Sequence, residues 1–443
     1  MMNAIHAVNI VGAGLGGALL AASLGKKGYQ VNVYEMRSDL RAARVKGGRS
    51  INLALSYRGL CALDRVGLAD SVLKTVVPMT GRMMHHPDGE LVYQPYGKDP
   101  SQCINSISRS GLNMTLLDAA DELDNVNLHF EHKCTNVDLD QGRLEFLANE
   151  DEKKVTVEGA PIIAADGAFS VIRREMQRRD RFDYSQSYLP VGYKELTIPA
   201  REDGGFRLEK NALHIWPRGQ FMMIALPNQD GSFTCTLFWP HEGPHSFASI
   251  KSDQDVLDCF EKFFPDAIPH MPTLVDDYHQ NPTSALVTIK CAPWHVDGHC
   301  ALLGDAAHAV VPFYGQGMNA AFEDVIELTD AMGACRPDWN AAFKAYFATR
   351  KRDCDTLADL AIDNFNVMSA KTRSPMFLMG KKAEKWLHRL FPKAYVPLYS
   401  MVTFERIGYA DAVERARLQV RVVAVIAAFL LIGIMSTLRM LLE

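Results

Sequence analysis

The chain opens on an apolar run, AVNIVG at 7–12, too short for a helix and read as a buried strand. Glycines interrupt it, apolar residues then recur at helical spacing through GALLAASLGKKG, and Gly28 supplies a C-terminal stop. A second run, QVNVYE, ends at Glu35. Strand, glycine-rich turn, helix and strand make a βαβ unit of about 30 residues. Further on, residues 81–97 pattern as a hairpin turning at PDGE, and residues 110–123 as a helix with Ser110 as its cap. Between 183 and 289 the period is two, clearest in NALHIWP, QFMMIALPN and SFTCTLFWP, with one helix, DQDVLDCFEKFF, interrupting. From residue 322 the pattern is mostly helical. These periods predict an α/β nucleotide-binding body, interleaved with a mainly antiparallel sheet domain and closed by helices.

Composition changes this picture little. Hydrophobic residues make up 48% and charged residues 22%, ordinary for a globular chain. A net charge of −5 gives no sign of a nucleic-acid partner. The arginines within 171–181 read as a solvated helix face. Nine scattered cysteines show neither metal-ligand spacing nor a disulfide framework, so reduced thiols and no metal are expected. The tail does change the picture. Residues 422–438 carry no charge and lie between Arg421 and Arg439. At about 1.5 Å per residue they fall slightly short of a bilayer core of roughly 30 Å. Two readings stay open: a membrane anchor, with the body on the cytoplasmic side, and a long helix packed on the body.

The candidate chemistry starts at Gly12-x-Gly14-x-x-Gly17. After a strand, before a helix, and with Glu35 closing the next strand, this is a dinucleotide-binding signature. The glycines admit a pyrophosphate to the helix N-terminus, and Glu35 is placed to accept from ribose hydroxyls. The motif does not separate NAD from FAD. Two later stretches do: APIIAADGAFSVIRR at 160–174 and CALLGDAAHAVVPFYGQGMNAAFED at 300–324, each an Asp turn after an apolar strand. This set resembles the FAD-dependent aromatic hydroxylases. Asp305 would then accept from the ribityl hydroxyls, unless it only caps the helix after it. Gly315 and Gly317 would let backbone lie against the flavin, with the N–H groups of Gly317, Met318 and Asn319 facing the ring edge where reduced flavin is negative. Arg109 is placed to reach the cofactor or to form a surface ion pair, Asp166 is read as supporting the fold, and a lone His308 as structural.

Longer segments narrow the resemblance. RSINLALSYRG, GRMMHHPDGELVYQPYGKD, GYKEL, NALHIWP, IALPN, PFYGQGMNAAFED, DNFNVMSAK and LYSMVTFERIGYA are similar to the kynurenine 3-monooxygenase family, over most of the chain from 8 to 409. The resemblance implies a Rossmann-like FAD-binding domain of aromatic-hydroxylase type at 1–75, 101–182 and 290–375. It implies a mainly antiparallel β-sheet substrate domain at 76–100 and 183–289, and a C-terminal helical region at 376–443. Leu15 and Leu55 join Gly12, Gly14, Gly17, Glu35, Arg109, Asp305, Gly317, Met318 and Asn319 as implied contacts of a tightly bound FAD. Arg82, Tyr96, Asn364 and Tyr399 would hold the amino-acid end of L-kynurenine, and Leu213, Met222, Ile224, Phe238 and Phe313 its ring. The last group also suits a plain core. NADPH would reduce FAD from a transient site, and O2 would then give a flavin C4a-hydroperoxide that hydroxylates the ring to 3-hydroxykynurenine. No protein nucleophile is needed. Another small aromatic substrate, a halogenase using Lys194, and a cofactor-free binding protein on the same fold are the alternatives, and oligomerisation stays open.

Overall fold

The computed structural model describes residues 7–42, 52–97, 99, 102–149, 151, 153–369 and 375–442. Parts of three matched segments, residues 49–51, 98 and 370–371, lie outside them. Six strands form the first sheet, in the order His295–Val296, Cys300–Leu302, Ile162–Ala164, Ala7–Val11, Gln30–Tyr34 and Val126–His129. All neighbours are parallel except the first pair. Val11 pairs with Ala164, and Ala164 with Leu302. Three strands therefore end at one level, and the turns carrying Gly12, Asp166 and Asp305 follow them directly. They meet at the carboxyl edge of a parallel sheet, where open α/β sheets bind ligands. Continuous apolar runs predict strands buried on both faces, and Ile10, Val31, Ile163 and Ala301 have no exposure.

A seven-stranded sheet runs Ser284–Ala292, Asp183–Ile198, Phe233–Pro240, Met222–Pro227, Ala212–Pro217, Gly81–His85, Leu91–Pro95. Only Gly81–His85 with Ala212–Pro217 is parallel. Alternation sorts its two faces. Trp216, Met223, Leu237 and Trp239 pack with Phe260 and Tyr278 of helices Asp253–Phe263 and Leu274–Gln280. Ile215, Met222 and Phe238 pack instead with Val311, Phe313 and Tyr314, at the junction with the first sheet's body.

Helices Gly317–Ala334 and Trp339–Ser369 are joined behind the Asp305 turn by buried charge. Asp324, fully buried, accepts from Arg350 Nε at 2.7 Å, from His308 Nε2 at 2.5 Å and from the Gly304 N–H at 3.1 Å. His308 thus has the structural role read for it, tilted against Trp294 at 5.0 Å. Glu323 beside it pairs with Arg58 at 2.8 Å.

Three readings are corrected. Ser108, not Ser110, caps the helix Arg109–Asp121 by accepting from the Gly111 N–H. Arg173 is not solvated: it is buried and donates to the carbonyls of Ala306 and Ala168, which fixes the Asp166 and Asp305 turns together. The packed alternative for 422–438 also fails. Helix Tyr409–Leu442 is docked only at its base, where Gln419 bonds both backbone groups of Val396. Beyond it, Phe429, Leu430, Ile432 and Met435 are all more than half exposed, and none of the apolar window is buried.

The network makes stability depend on pH in a defined direction. Burial pushes the Asp324 carboxyl up, but His308 and Arg350 outweigh it and hold it at about 2, below its usual 3.8. Its contribution is present above about pH 4 and drains away as pH falls toward 2. His308, which burial pushes downward but Asp324 and Cys354 together push further upward, titrates above 6.5, so its contribution is complete below 6.5 and lost as pH rises through the folded value. Denaturation midpoints across pH 2–7 should show an acid limb that Asp324→Asn flattens. At neutral pH that variant should lose roughly 3–5 kcal/mol, the cost of stranding buried partners.

Candidate active site

The cleft at the carboxyl edge is shaped by backbone. A Cβ at Gly12, whose φ is +102°, would sit 2.4 Å from the Ala165 carbonyl oxygen, and one at Gly17 would sit 1.9 Å from that of Gly12. Both glycines are required by the close passage of strand, turn and helix. Gly14 differs: a Cβ there meets nothing within 4 Å, so this position opens onto space at the N-terminus of helix Leu15–Lys26, which no side chain caps. Leu15 itself is half-buried against the core. Glu35 is buried and accepts the Ala13 N–H at 2.9 Å, so it braces the turn as well as standing beside it. Burial raises its pKa, while Arg37 and the Ala13 N–H bring it below the ordinary value.

Across the sheet edge, Asp305 is open to solvent at its surface, and the protein enclosing it pushes its pKa up, against the pull of His308 and Arg109. It does not cap the helix Asp305–His308; the cap position is Gly304, and no side chain fills the role. Arg109 is exposed at the start of its own helix. The third wall is the turn 312–316, where Gly315 takes a left-handed φ of +67° against Ala54, and helix Gly317–Ala334 begins without a side-chain cap. Its first N–H groups, from Gly317 and half-buried Met318, are thus available to an acceptor. Asn319 is fully buried, and its amide is spent: it accepts from the Ser56 N–H and donates to the Ala54 and Gly315 carbonyls. Leu55, with no exposure, lies between these bonds.

Next to this cleft the register of the seven-stranded sheet sets Arg82 beside Leu213, Ile215 beside Ile224 and Met222 beside Phe238. Phe313 lies 4.8 Å from Phe238 and 4.5 Å from Phe365. Asn364 donates to the Phe313 carbonyl at 2.7 Å, so its amide nitrogen fixes the turn rather than reaching into the pocket. The Arg82 guanidinium carbon lies 4.7 Å from the Tyr399 ring and 5.4 Å from the Tyr96 ring, and those rings stack at 5.6 Å. Among the described residues no carboxylate pairs with Arg82, and its Nε and the Tyr96 hydroxyl are buried without a well-formed hydrogen bond. Burial lowers the guanidinium's pKa, but the two tyrosine oxygens outweigh it; burial raises that of Tyr96. A half-buried cation with an unbonded Nε beside apolar side chains suits an anionic group.

The structure therefore gathers the eleven cofactor-side candidates around one sheet edge and the nine substrate-side candidates into one adjoining cluster of contacts. It adds Phe365, which packs on Phe313, and the Tyr314 ring lies 5.7 Å from that of Tyr399. Phe365 follows Asn364 directly, which was the available signal. Lys194 lies elsewhere: it is buried, donates to the Asn281 carbonyl and sits 4.7 Å from the Tyr278 ring in the layer behind the sheet.

Comparison with known proteins agrees with this geometry. Residues 6–352 match the model of an FAD binding domain family. The chain is 47% identical over 411 residues to the kynurenine 3-monooxygenase of Myxococcus xanthus, covering 93% of this chain and 88% of that protein. It is 45% identical over 417 residues to that of Dictyostelium discoideum, covering 91% and 89%. Among solved structures, a tetrameric 2-methyl-3-hydroxypyridine-5-carboxylic acid oxygenase superposes with a TM-score of 0.68 at 20% identity, over 85% of this chain and 96% of the other. PqsL of P. aeruginosa, in complex with 2-aminobenzoylacetate, gives 0.67 at 22%, over 84% and 99%.

Gly17→Ala tests the cleft. Its methyl group must displace backbone, so it should cost about 1–3 kcal/mol of stability and reduce the bound flavin measured by absorbance, whereas Gly14→Ala should lower flavin content with little change in melting temperature.

Proposed function

This chain belongs to the kynurenine 3-monooxygenase family, and from that premise we infer that it hydroxylates L-kynurenine to 3-hydroxykynurenine, with NADPH and O2 as co-substrates. It is an FAD-dependent aromatic monooxygenase. The cleft fits FAD: it offers open space at Gly14, two uncapped helix N-termini and the accessible Asp305 carboxylate. Gly12, Gly14, Leu15 and Gly17 would take the pyrophosphate, Glu35 a ribose, and Asp305 with Arg109 the ribityl and phosphate region. Leu55, Gly317, Met318 and Asn319 would border the ring, the last through its backbone N–H. Residues 1–75, 101–182 and 290–375 would form the cofactor domain, and 76–100 with 183–289 the substrate domain.

FAD, when bound, would supply the redox chemistry, hydride acceptance from NADPH and delivery of one atom of O2 to the ring, the other leaving as water. The chain's own residues do the rest. Arg82 takes the kynurenine carboxylate, with Tyr96 and Tyr399 closing around it. Leu213, Met222, Ile224, Phe238 and Phe313 hold the aniline ring in a dry slot, and Asn364 fixes the Phe313 turn against it. The amino group makes the neighbouring ring carbon electron-rich, so positioning replaces a protein nucleophile. The observation that carries the substrate reading is Arg82, half-buried between two tyrosines, with its Nε shut off from solvent and, among the described residues, no carboxylate partner.

We also assign the exposed apolar length of the last helix to a membrane. One span among the described residues, Tyr409–Thr437, has the length and a hydropathy of 2.4, and Arg415, Arg417 and Arg421 preceding its apolar part support a cytoplasmic side for the body.

Two measurements test these readings. The purified chain should carry flavin, and L-kynurenine should stimulate its NADPH oxidation with 3-hydroxykynurenine formed. In Arg82→Ala, flavin should stay bound while KM for kynurenine rises by roughly 30- to 150-fold, the loss of a charge-assisted pair worth about 2–3 kcal/mol. Stimulation by a different small aromatic, or an unchanged KM in the variant, removes the substrate assignment. For the tail, full-length protein should sediment with membranes. A chain ending at Arg421 should be soluble with unchanged KM, and one ending at Arg417, which lacks the Gln419 bonds, should bind kynurenine less tightly.

A further inference from the structure

We propose that Arg58 is a positioning residue for substrate recognition, clamping the short helix that carries Tyr399 onto the cofactor side of the molecule. Arg58 lies in the first turn of helix Tyr57–Arg65, directly after Leu55 and Ser56 of the cofactor cleft, and its side chain is 1% exposed. Its Nε donates to the Val402 carbonyl at 2.7 Å, and its Nη2 to the carbonyls of Met401, at 3.4 Å, and Ile407. Nη1 donates to Glu323 Oε1 at 2.8 Å, and the Tyr409 ring lies 4.1 Å from the guanidinium carbon.

The acceptors explain why an arginine stands there. Leu398–Phe404 is a seven-residue helix, too short to persist alone. Met401 and Val402 are among its last four carbonyls, which have no partner inside the helix. The chain then departs through an extended Glu405, without the left-handed cap residue that commonly closes a helix. A buried cation satisfies two of those carbonyls and suits the negative end of the helix. Lysine, a single point charge, could not reach Val402, Met401, Ile407 and Glu323 at once.

The consequence is a rigid path between two sites. Glu323 lies on the helix whose N-terminus borders the cofactor cleft. Tyr399 lies less than one turn before the clamped carbonyls, and its ring packs on Arg82, Tyr96 and Tyr314. Freed from Arg58, the helix loses the contact that fixes its rotation, and the cavity loses a defined roof. This inference rests on the pocket reading given above.

The test is a double-mutant cycle on the holoenzyme, after flavin content and melting temperature are checked. Arg58→Lys should raise KM for kynurenine by roughly 10- to 100-fold, with less than a tenfold fall in kcat and flavin retained. In a Tyr399→Ala background the same change should raise KM less than about threefold, because the residue it positions is gone. Equal effects in both backgrounds, or an unchanged KM with only a lower melting temperature, overturn the proposal. If Arg58→Lys does not fold, Glu323→Gln decides the same question: it loosens the clamp, and should raise KM in the Tyr399 background only. A normal KM in Arg82→Ala would instead point to failure of the pocket reading itself.

Discussion

Val11, Ala164 and Leu302 end their strands side by side, and that register determines the rest of the molecule. It brings three turns from distant parts of the chain to one edge, where Gly12 passes against the Ala165 carbonyl and Arg173 bonds the carbonyl of Ala306. A slip of one residue in any strand would turn its buried side chains to the other face and carry its turn out of line. The helix N-termini that face the edge, at Leu15 and Gly317, take their places from the strand and turn before each of them.

The adjoining cavity is assembled differently. Its walls come from the seven-stranded sheet, its floor from the 312–314 turn, and its roof from the segment around Tyr399. No single element could place a cation at its end, because a buried guanidinium needs compensation from several directions. Here two tyrosine rings and their hydroxyls provide part of it. The Arg82 Nε is left with donor capacity that a neutral apolar group could not use.

What could be read from the sequence follows from where each signal is local. The βαβ unit was legible because glycines, periodicity and Glu35 lie within one short stretch, and the sheet strands because side chains alternate with period two. The Ser108 cap was missed by two residues, since Ser110 offers the same chemistry and only backbone geometry distinguishes them. Arg173 was taken for a surface residue because its neighbours Arg174, Arg178 and Arg179 are indeed surface residues; a partner more than a hundred residues away decides its burial. Arg58, Glu323, Asp324 and Arg350 escaped for the same reason, being charges on helices that turn them inward toward one another. The tail shows the reverse limit: a packed helix and one standing clear of the body can share a composition, and only the exposure of Phe429 and Met435 separates them.

The bond from Arg58 to Val402 spans 344 residues, and this has a bearing on biosynthesis. Chains emerge from the ribosome amino end first, and regions able to fold do so as they appear. The strands and helix N-termini that border the cofactor cleft are all present once the 317–334 helix is out. The segment that supplies Tyr399, and the Gln419 side chain that steadies Val396, are translated after it. The strand ends that border the cleft thus emerge before the residues that fix Tyr399.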